Sequence, residues 1–311
     1  MKRVLVGVCL IVALTACSGS SSSSETSMPD EVFTGKCSPT EKNPTLGLSA
    51  ISDMYRVQVW DEANSSTPRQ LEQIGDDPFA NNSGYDMTVV ESVAVSPKDC
   101  AIFVGACCEP VSGITFYEGK TKGEWLQLMG HLPAVSPDGE LLALVAYEQL
   151  TISSTQFPDK VTTTFALPKA DEATMYKMAW LNGDQVAVSG FTPKGAYVWI
   201  ATISEGTVRP GELITDAVNW ESENLWRVGL VGVDENENLV TRSAGKDDKD
   251  ILDFRYADAF ESHSTIEIPA ATTSYVMSGQ RTAMVNEKGV LSVWSGNGDP
   301  VQLGAGYTWA G

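Results

Sequence analysis

The sequence predicts an all-β fold, a six-bladed β-propeller of four-stranded antiparallel blades that spans residues 45–311. Two observations predict it. Short apolar strands recur with a period of about 40 to 50 residues, which is typical of propellers. Each unit divides into four strands at its turn residues, with alternating apolar positions inside the strands. Seven blades is the alternative.

The repeat is clearest in two Ser-Pro turns, at residues 93–99 and 133–139, whose Ser-Pro steps lie 40 residues apart. Each turn leads into an apolar strand, at 100–106 and at 141–147. Weaker copies of this first strand, turn and second strand begin near Ala179, Val231 and Tyr275.

The third strand of most units ends near an aromatic residue. These strands lie at 55–61, 114–117, 196–199, 252–256 and 290–294, and the unit at 150–154 lacks the aromatic. Fourth strands follow at 69–74, 125–129, 161–167, 208–214, 265–268 and 300–303. We expect the aromatic side chains to fill the space between neighbouring sheets, and stacking on a ligand is the alternative.

The first strands give the blade count. They fit near 88–96, 132–136, 175–181, 225–233, 273–277 and 306–309. The N-terminal region offers three strands, at 46–50, 55–60 and 69–74, and no first strand. We therefore expect the C-terminal strand to pair with the N-terminal blade, because a ring closed in this way has no open edges.

The first residues have the pattern of a secretion signal. Lys2 and Arg3 precede an apolar stretch at 4–13, which is shorter than the roughly 20 residues of a spanning helix. Leu14-Thr15-Ala16-Cys17 resembles the lipobox of bacterial lipoproteins. That resemblance implies a signal peptide at 1–16, and lipid on Cys17 at the extracytoplasmic face of the bacterial cell membrane. Ordinary secretion is the alternative.

A serine-rich segment follows the lipobox. Residues 18–27 contain seven serines and one glycine, a composition typical of flexible linkers. We assign residues 17–44 as a lipid-anchored tether and residues 45–311 as the propeller domain.

The charge balance excludes some partners. The 311 residues carry 40 Asp and Glu against 21 Lys and Arg, a formal net charge of −19. Nucleic acid and anionic lipid surfaces repel such a protein, so we expect no nucleic acid and membrane contact through the lipid only. Two histidines leave little room for a zinc site or a histidine-dependent triad. We expect a monomer without cofactor or metal.

The turn Ser136-Pro137-Asp138-Gly139 resembles the turns of TolB-type and WD-like propellers. The stretch at 107–113 resembles a segment of exported actinobacterial propeller proteins. These resemblances imply the fold. They imply no activity, because propellers serve both as enzymes and as docking platforms.

Four cysteines remain after Cys9 leaves with the signal and Cys17 takes lipid, which allows three disulfide connectivities. Cys100 opens a strand that Cys107 and Cys108 end, roughly 23 to 26 Å away. A disulfide requires Cα atoms within ~7 Å, so Cys100 cannot reach them. Cys37 and Cys100 each precede a second strand, one blade apart on the same face. We therefore predict a Cys37–Cys100 bond and a vicinal Cys107–Cys108 pair.

The turn of Cys107, Cys108, Glu109 and Pro110 has three interpretations. It could be a rigid turn between strands, a surface that faces a ligand, or a soft-metal or redox site. The predicted topology places it on the propeller face opposite the tether, and therefore away from the membrane.

Two acidic segments could bind ions. Residues 234–238 have oxygen ligands at alternate positions, as at the start of a calcium loop, but lack the glycine and the distal glutamate of an EF-hand. We expect a solvated turn there and a charged hairpin tip at 247–250. The sequence contains no nucleophile elbow and no Walker loop.

These observations favour a binding role over catalysis. We expect a membrane-anchored envelope lipoprotein that docks a protein, peptide or glycan and is not an enzyme. The alternative is a propeller hydrolase or lyase with carboxylates and calcium in its central channel. The predicted first strands carry mostly Val, Ala, Ser, Met and Trp, which counts against that alternative.

Overall fold

The computed structural model describes residues 37–38, 45–52, 57–60, 68–71, 90–106, 114–118, 125–146, 149–167, 176–192, 195–215, 228–247, 249–269, 272, 274–279, 281–295 and 299–311. Within these residues the chain forms 24 strands and no helix. The predicted signal peptide, Cys17 and the turn from Cys107 to Pro110 lie outside the described residues, so they stay predictions.

Eleven of the described strands lie before residue 170. They are β1 (Ser49–Ser52), β2 (Val57–Val59), β3 (Arg69–Leu71), β4 (Val90–Val95), β5 (Ile102–Ala106), β6 (Ile114–Glu118), β7 (Trp125–Met129), β8 (His131–Val135), β9 (Leu141–Ala146), β10 (Gln149–Ser154) and β11 (Phe157–Ala166).

The other thirteen described strands follow residue 170. They are β12 (Tyr176–Trp180), β13 (Gln185–Thr192), β14 (Gly195–Thr202), β15 (Thr207–Thr215), β16 (Gly229–Asp234), β17 (Leu239–Ala244), β18 (Lys249–Arg255), β19 (Ser262–Pro269), β20 (Ser274–Gly279), β21 (Arg281–Val285), β22 (Leu291–Ser295), β23 (Val301–Gly304) and β24 (Tyr307–Ala310).

The strands assemble into antiparallel groups of four. Groups β4–β7, β8–β11 and β12–β15 are separate sheets. Groups β16–β19 and β20–β23 join into one eight-stranded sheet through a parallel pair between β16 and β20. The last strand, β24, pairs with β1 in a further sheet of order β24-β1-β2-β3, which we call the terminal sheet.

Apolar side chains fill the space between neighbouring groups. The buried residues form six clusters among the described residues, and each cluster contains side chains from two groups that are consecutive along the chain. The terminal sheet packs on both of its neighbours: Leu48 and Ala310 pack with Val285 of β21, while Ile51 packs with Ile102 of β5.

The predicted strands agree with the observed ones to within four residues at each end. β1 begins at Ser49 and not at residue 46, because residues 45–47 form a turn in which Leu48 N–H donates to the Thr45 carbonyl at 3.0 Å. Gly47 has φ +68° there, a conformation that glycine adopts readily. β11 begins at Phe157, four residues earlier than predicted.

The aromatic residues at the ends of third strands pack mostly in the interior, as expected. Trp60 is 1% exposed and Trp199 is 2% exposed. Tyr256 differs, since it is 49% exposed and stacks on His263 with ring centroids 4.5 Å apart.

Candidate functional site

The disulfide joins the segment ahead of β1 to the group β4–β7. Cys37 and Cys100 are bonded with their Cα atoms 5.3 Å apart, and the two residues are 1% and 7% exposed. The Ser38 hydroxyl donates to the Pro97 carbonyl at 3.1 Å beside this bond. This is the pairing expected from the sequence, and it fixes Cys37 on the turn between β4 and β5.

Opening this disulfide is expected to lower the free energy of unfolding by about 2–4 kcal/mol, because the bond restricts the unfolded chain over a long loop. The bonded residues are 63 positions apart. The measurement is the urea midpoint of the Cys107→Ser/Cys108→Ser background with and without reductant. Adding Cys37→Ala/Cys100→Ala to that background is the control, which should not respond to reductant. An unchanged midpoint, with reduction verified by mass, would contradict the prediction.

In the turns between first and second strands that follow β4, β8, β12 and β16, the side-chain oxygen of an Asp or Asn accepts hydrogen bonds from backbone N–H groups of the same turn. Asp138 Oδ1 accepts hydrogen bonds from Glu140 N–H at 3.0 Å and from the Ser136 hydroxyl at 2.5 Å. The Ser136 hydroxyl accepts from Leu141 N–H at 2.9 Å. The bond from Ser136 is the main reason why the pKa of Asp138 lies below its ordinary value. Ser-Pro-Asp-Gly is therefore a turn closed by its own side chains.

The candidate calcium turn uses its acid in the same way. Asp234 Oδ1 accepts from the N–H groups of Asn236 and Asn238 at 2.8 and 2.9 Å, and Oδ2 accepts from Asn238 Nδ2 at 3.0 Å. The carboxylate thus closes the turn, in agreement with the expected solvated turn. Among the described residues, no three His, Cys, Asp or Glu side chains are grouped closely enough to hold a metal ion.

Several of these turns contact the corresponding turn of the next group. Lys98 Nζ lies 2.5 Å from Glu140 Oε1, and Asn182 Nδ2 donates to Glu237 Oε2 at 3.2 Å. Near β21, Arg281 donates to the Leu46 carbonyl at 2.8 Å. We call this side, which carries the turns from 96 to 100, 136 to 140, 181 to 185 and 234 to 238, the lower face.

The opposite ends of the strands, which we call the upper face, bury an ion pair. Arg242 is 1% exposed and Asp250 is 5% exposed. Arg242 Nε and Nη2 lie 2.6 and 2.5 Å from Asp250 Oδ2, and Nη2 also donates to the Thr272 carbonyl at 2.8 Å. The pair fixes β17 against β18 and the segment before β20.

This ion pair differs from what the sequence predicted for Asp250. Residues 247–250 were expected to form a charged hairpin tip, but Lys249 begins β18 and Asp250 pairs with Ala244 of β17 inside the sheet. The hairpin turn lies between β17 and β18, where Gly245 N–H donates to the Lys249 carbonyl, and the exposed Asp247 belongs to it as predicted. The sequence did contain a sign of this ion pair, since Arg242 lies inside strand β17 and Asp250 follows it eight residues later.

Lys177 of β12 lies near this pair. Its side chain is half-buried, and its ammonium donates to the Val228 carbonyl at 3.2 Å. Burial of the ammonium and, as a smaller contribution, the positive charge of Arg242 together lower the pKa of Lys177 to about 7. No motif in the sequence pointed to this residue.

The depressed pKa of Lys177 predicts a pH dependence of stability. Between pH 7 and the ordinary lysine pKa of 10.5, the unfolded chain holds this proton and the folded chain has largely lost it. The free energy of unfolding should therefore gain a rising contribution across this window. Lys177→Met should flatten the rise between pH 7 and pH 9 in urea titrations, whereas Lys249→Met, at an exposed lysine, should not. Equal slopes in both variants would contradict the prediction.

Comparisons with known proteins bear on the fold. Neither a family model nor a curated protein matches the chain. TolB from Acinetobacter baumannii matches with a TM-score of 0.53 at 11% identity, over 86% of this chain and 67% of that one. A structure of a nidogen/laminin complex matches with a TM-score of 0.53 at 9% identity, over 85% and 96%. Saccharomyces cerevisiae Sqt1 matches with a TM-score of 0.50 at 10% identity, over 85% and 72%.

At these low sequence identities, the structural similarity is evidence for the fold only. The similarity to TolB and the antiparallel groups of four show that the described part of the chain is an all-β propeller. Within the described residues, no helix has the length and apolar character needed to cross a membrane.

Proposed function

We propose that this protein is a lipid-anchored lipoprotein of the bacterial cell envelope whose propeller docks a protein partner. The main observation in support is the buried Cys37–Cys100 bond, which indicates export because structural disulfides form and persist outside the reducing cytosol. The bond also attaches Cys37, which belongs to the proposed tether, to the group β4–β7. The lipobox residue Cys17 is the proposed anchor.

The proposed ring has six blades, closed where β24 pairs with β1. Six apolar clusters among the described residues support this count, since each joins two neighbouring groups and the terminal sheet packs on both sides. In this arrangement the Cys37 attachment lies on the lower face. The upper face, and with it the proposed vicinal Cys107–Cys108 turn, is directed away from the membrane.

Two observations support docking over hydrolysis. The buried carboxylates of the described residues, Asp250 and Asp253, each lie 2.5 Å from an arginine nitrogen, of Arg242 and Arg255 respectively. Carboxylates held in this way are poorly placed as general acids or bases. In addition, the nidogen/laminin structure shows a fold of this kind in a complex of two proteins.

The test of the anchor is fractionation of cells that express the full-length protein. Wild type should remain with the membrane fraction and incorporate labelled fatty acid, whereas Cys17→Ala should lose both properties because the acyl chains provide the membrane affinity. Cys107→Ser/Cys108→Ser is the control and should stay membrane-bound. Retention of the Cys17→Ala variant in membranes would overturn the lipid-anchor proposal.

The test of docking is cross-linking and capture of the anchored protein from intact envelopes, followed by mass spectrometry. A reproducible protein partner that the purified protein then binds directly is the expected result. Comparison with Cys107→Ser/Cys108→Ser shows whether the vicinal turn faces the partner. Recovery of no direct binder would contradict the docking proposal.

A further inference from the structure

Leu132 has an unusual backbone conformation for its position. It lies inside strand β8 with φ +53°, in the left-handed region where a Cβ crowds the following carbonyl oxygen. The residue before a proline is normally extended, and Pro133 follows Leu132. The register against β9 shifts between His131 and Ala134, so the conformation forms a β-bulge. In bulges with a left-handed first residue, that residue is usually glycine.

The described residues contain five non-glycine residues with positive φ, and the other four differ from Leu132. Cys100 is held by the disulfide. Glu237 and Asp247 are exposed polar residues of turns. Phe260 lies in the turn between β18 and β19, and its side chain is buried in an apolar cluster. Among these five, Leu132 is the aliphatic residue that lies inside a strand.

The short connection from β7 to β8 explains the bulge but not the leucine. Gly130 is the single residue between these strands, and its carbonyl accepts a hydrogen bond from the Thr115 hydroxyl at 2.9 Å. The chain then passes so close to β5 that a Cβ on Gly105 would lie 2.7 Å from Pro133 Cδ and 3.2 Å from the Leu132 nitrogen. A glycine at position 132 would adopt the same conformation without strain.

The Leu132 side chain is not part of the core. It is half-buried and belongs to none of the six apolar clusters that the described residues form. Met129, on the other side of Gly130, is 56% exposed, the largest value among the exposed large apolar side chains of the described residues. β8 runs towards the lower-face turn at 136–140, so both side chains lie at the upper face. Backbone strain that core packing does not explain points to function.

We propose that Leu132 and Met129, which we call the Leu132 surface, bind an apolar side chain of a partner protein at the upper face. This inference rests on the proposed docking function and names residues that perform it. The bulge directs the leucine, because bulges change the direction in which a side chain projects. An anchor that the backbone already holds in place loses less conformational freedom on binding.

The chemistry of the Leu132 surface identifies its occupant. Neither side chain donates a hydrogen bond, so the surface does not suit a glycan, which is recognised through polar groups. A second copy is disfavoured, because each copy has a formal net charge of −19. Methionine adapts to apolar partners of different shape. The occupant is therefore an aliphatic or aromatic side chain of a different protein, packed against Leu132.

The first test compares the stability of two glycine variants of the purified protein. Leu132→Gly removes both the side chain and the backbone strain, so its urea midpoint should not fall below that of Asp247→Gly. Asp247→Gly is the matched control, because Asp247 has φ +55° and is exposed on the same face. A clear fall of the midpoint in Leu132→Gly alone would overturn the proposal, because it would show that the leucine packs within its own chain.

The second test places a benzophenone amino acid at position 132 or at position 247 of the full-length protein in intact envelopes. Illumination should join position 132, and not position 247, to an aliphatic or aromatic residue of another protein, which mass spectrometry then locates. Cross-links from position 132 to a second copy or only to its own chain would overturn the proposal. Equal cross-linking from both positions would also overturn it.

The affinity of the cross-linked protein, purified, completes the test. Leu132→Gly should bind it at least about tenfold more weakly than wild type, whereas Leu132→Met and Asp247→Gly should change binding by less than about threefold. Unchanged affinity of Leu132→Gly would overturn the proposal.

Comparison with capture from intact envelopes separates the Leu132 surface from the docking function on which it rests. If capture recovers a direct binder but position 132 forms no cross-link, the Leu132 surface is wrong and the docking function stands. If capture recovers no direct binder and position 132 forms no cross-link, both proposals are wrong.

Discussion

Removal of the last strand, β24, is expected to abolish the folded state of the purified protein or to lower its free energy of unfolding by about 6–10 kcal/mol. Such a loss is comparable to the whole stability of a typical domain, about 5–15 kcal/mol. The deletion removes Ala310 from the core, together with Tyr307 and Trp309, which pack against it. It also removes both backbone hydrogen bonds between Ser49 and Gly311, each 2.9 Å long.

The measurement is thermal and urea unfolding of a chain that stops at Gly304. A rearranged chain provides the control, in which residues 306–311 precede residue 45 through a short glycine-serine linker; because this chain lacks Cys37, its reference is the unrearranged chain of residues 45–311. Because Gly311 and Ser49 already exchange hydrogen bonds, the moved strand can occupy the same place, and stability should return. A truncated protein that unfolds at the native midpoint would contradict both the expected loss and the proposed ring closure.

Replacement of Gly232 by valine is expected to cost up to about 6 kcal/mol, the sum of backbone strain and overpacking. Gly232 has φ +150°, and a Cβ built on it would lie 1.8 Å from the Met277 carbonyl oxygen. That oxygen belongs to β20, which pairs with β16 at Gly232. A side chain at this position must therefore separate two inner strands of neighbouring groups.

Gly206→Ala is the matched control for the backbone part of this effect. Gly206 has φ +64° in the turn between β14 and β15, and a Cβ there would meet no atom within 4 Å. Its substitution should cost about 1 kcal/mol, since only the backbone conformation opposes it. The measurement is the urea midpoint of both variants. Equal small losses would show that β16 and β20 separate without cost.

The strands and turns of this fold could be predicted from the sequence because they depend on neighbours along the chain. Continuous apolar runs mark β5 and β9, and Ser136 to Gly139 carry the side chains that close their own turn. The Cys37–Cys100 pairing also followed, because strand length alone excludes the competing bonds of Cys100.

The remaining features depend on groups that are distant in sequence. The lowered pKa of Lys177 and the ion pair of Arg242 arise only where β12, β17 and β18 come together. The sequence alone predicted that Asp250 is exposed to solvent. The role of Gly232 could not be predicted either, because it depends on the parallel pairing with β20. In that pairing, the partner of Gly232 is Met277, which lies 45 residues later in the chain.

The disulfide also determines how the propeller bears mechanical load. A pull applied ahead of Cys37 passes through the Cys37–Cys100 bond into the group β4–β7 and bypasses β1, so the terminal sheet is not peeled away strand by strand. In the oxidised protein the 63 positions between the two cysteines cannot extend. At about 3.6 Å per residue, reduction would release roughly 220 Å of additional chain under force. The bond therefore acts as a force-bearing clamp for whatever holds the N-terminal segment.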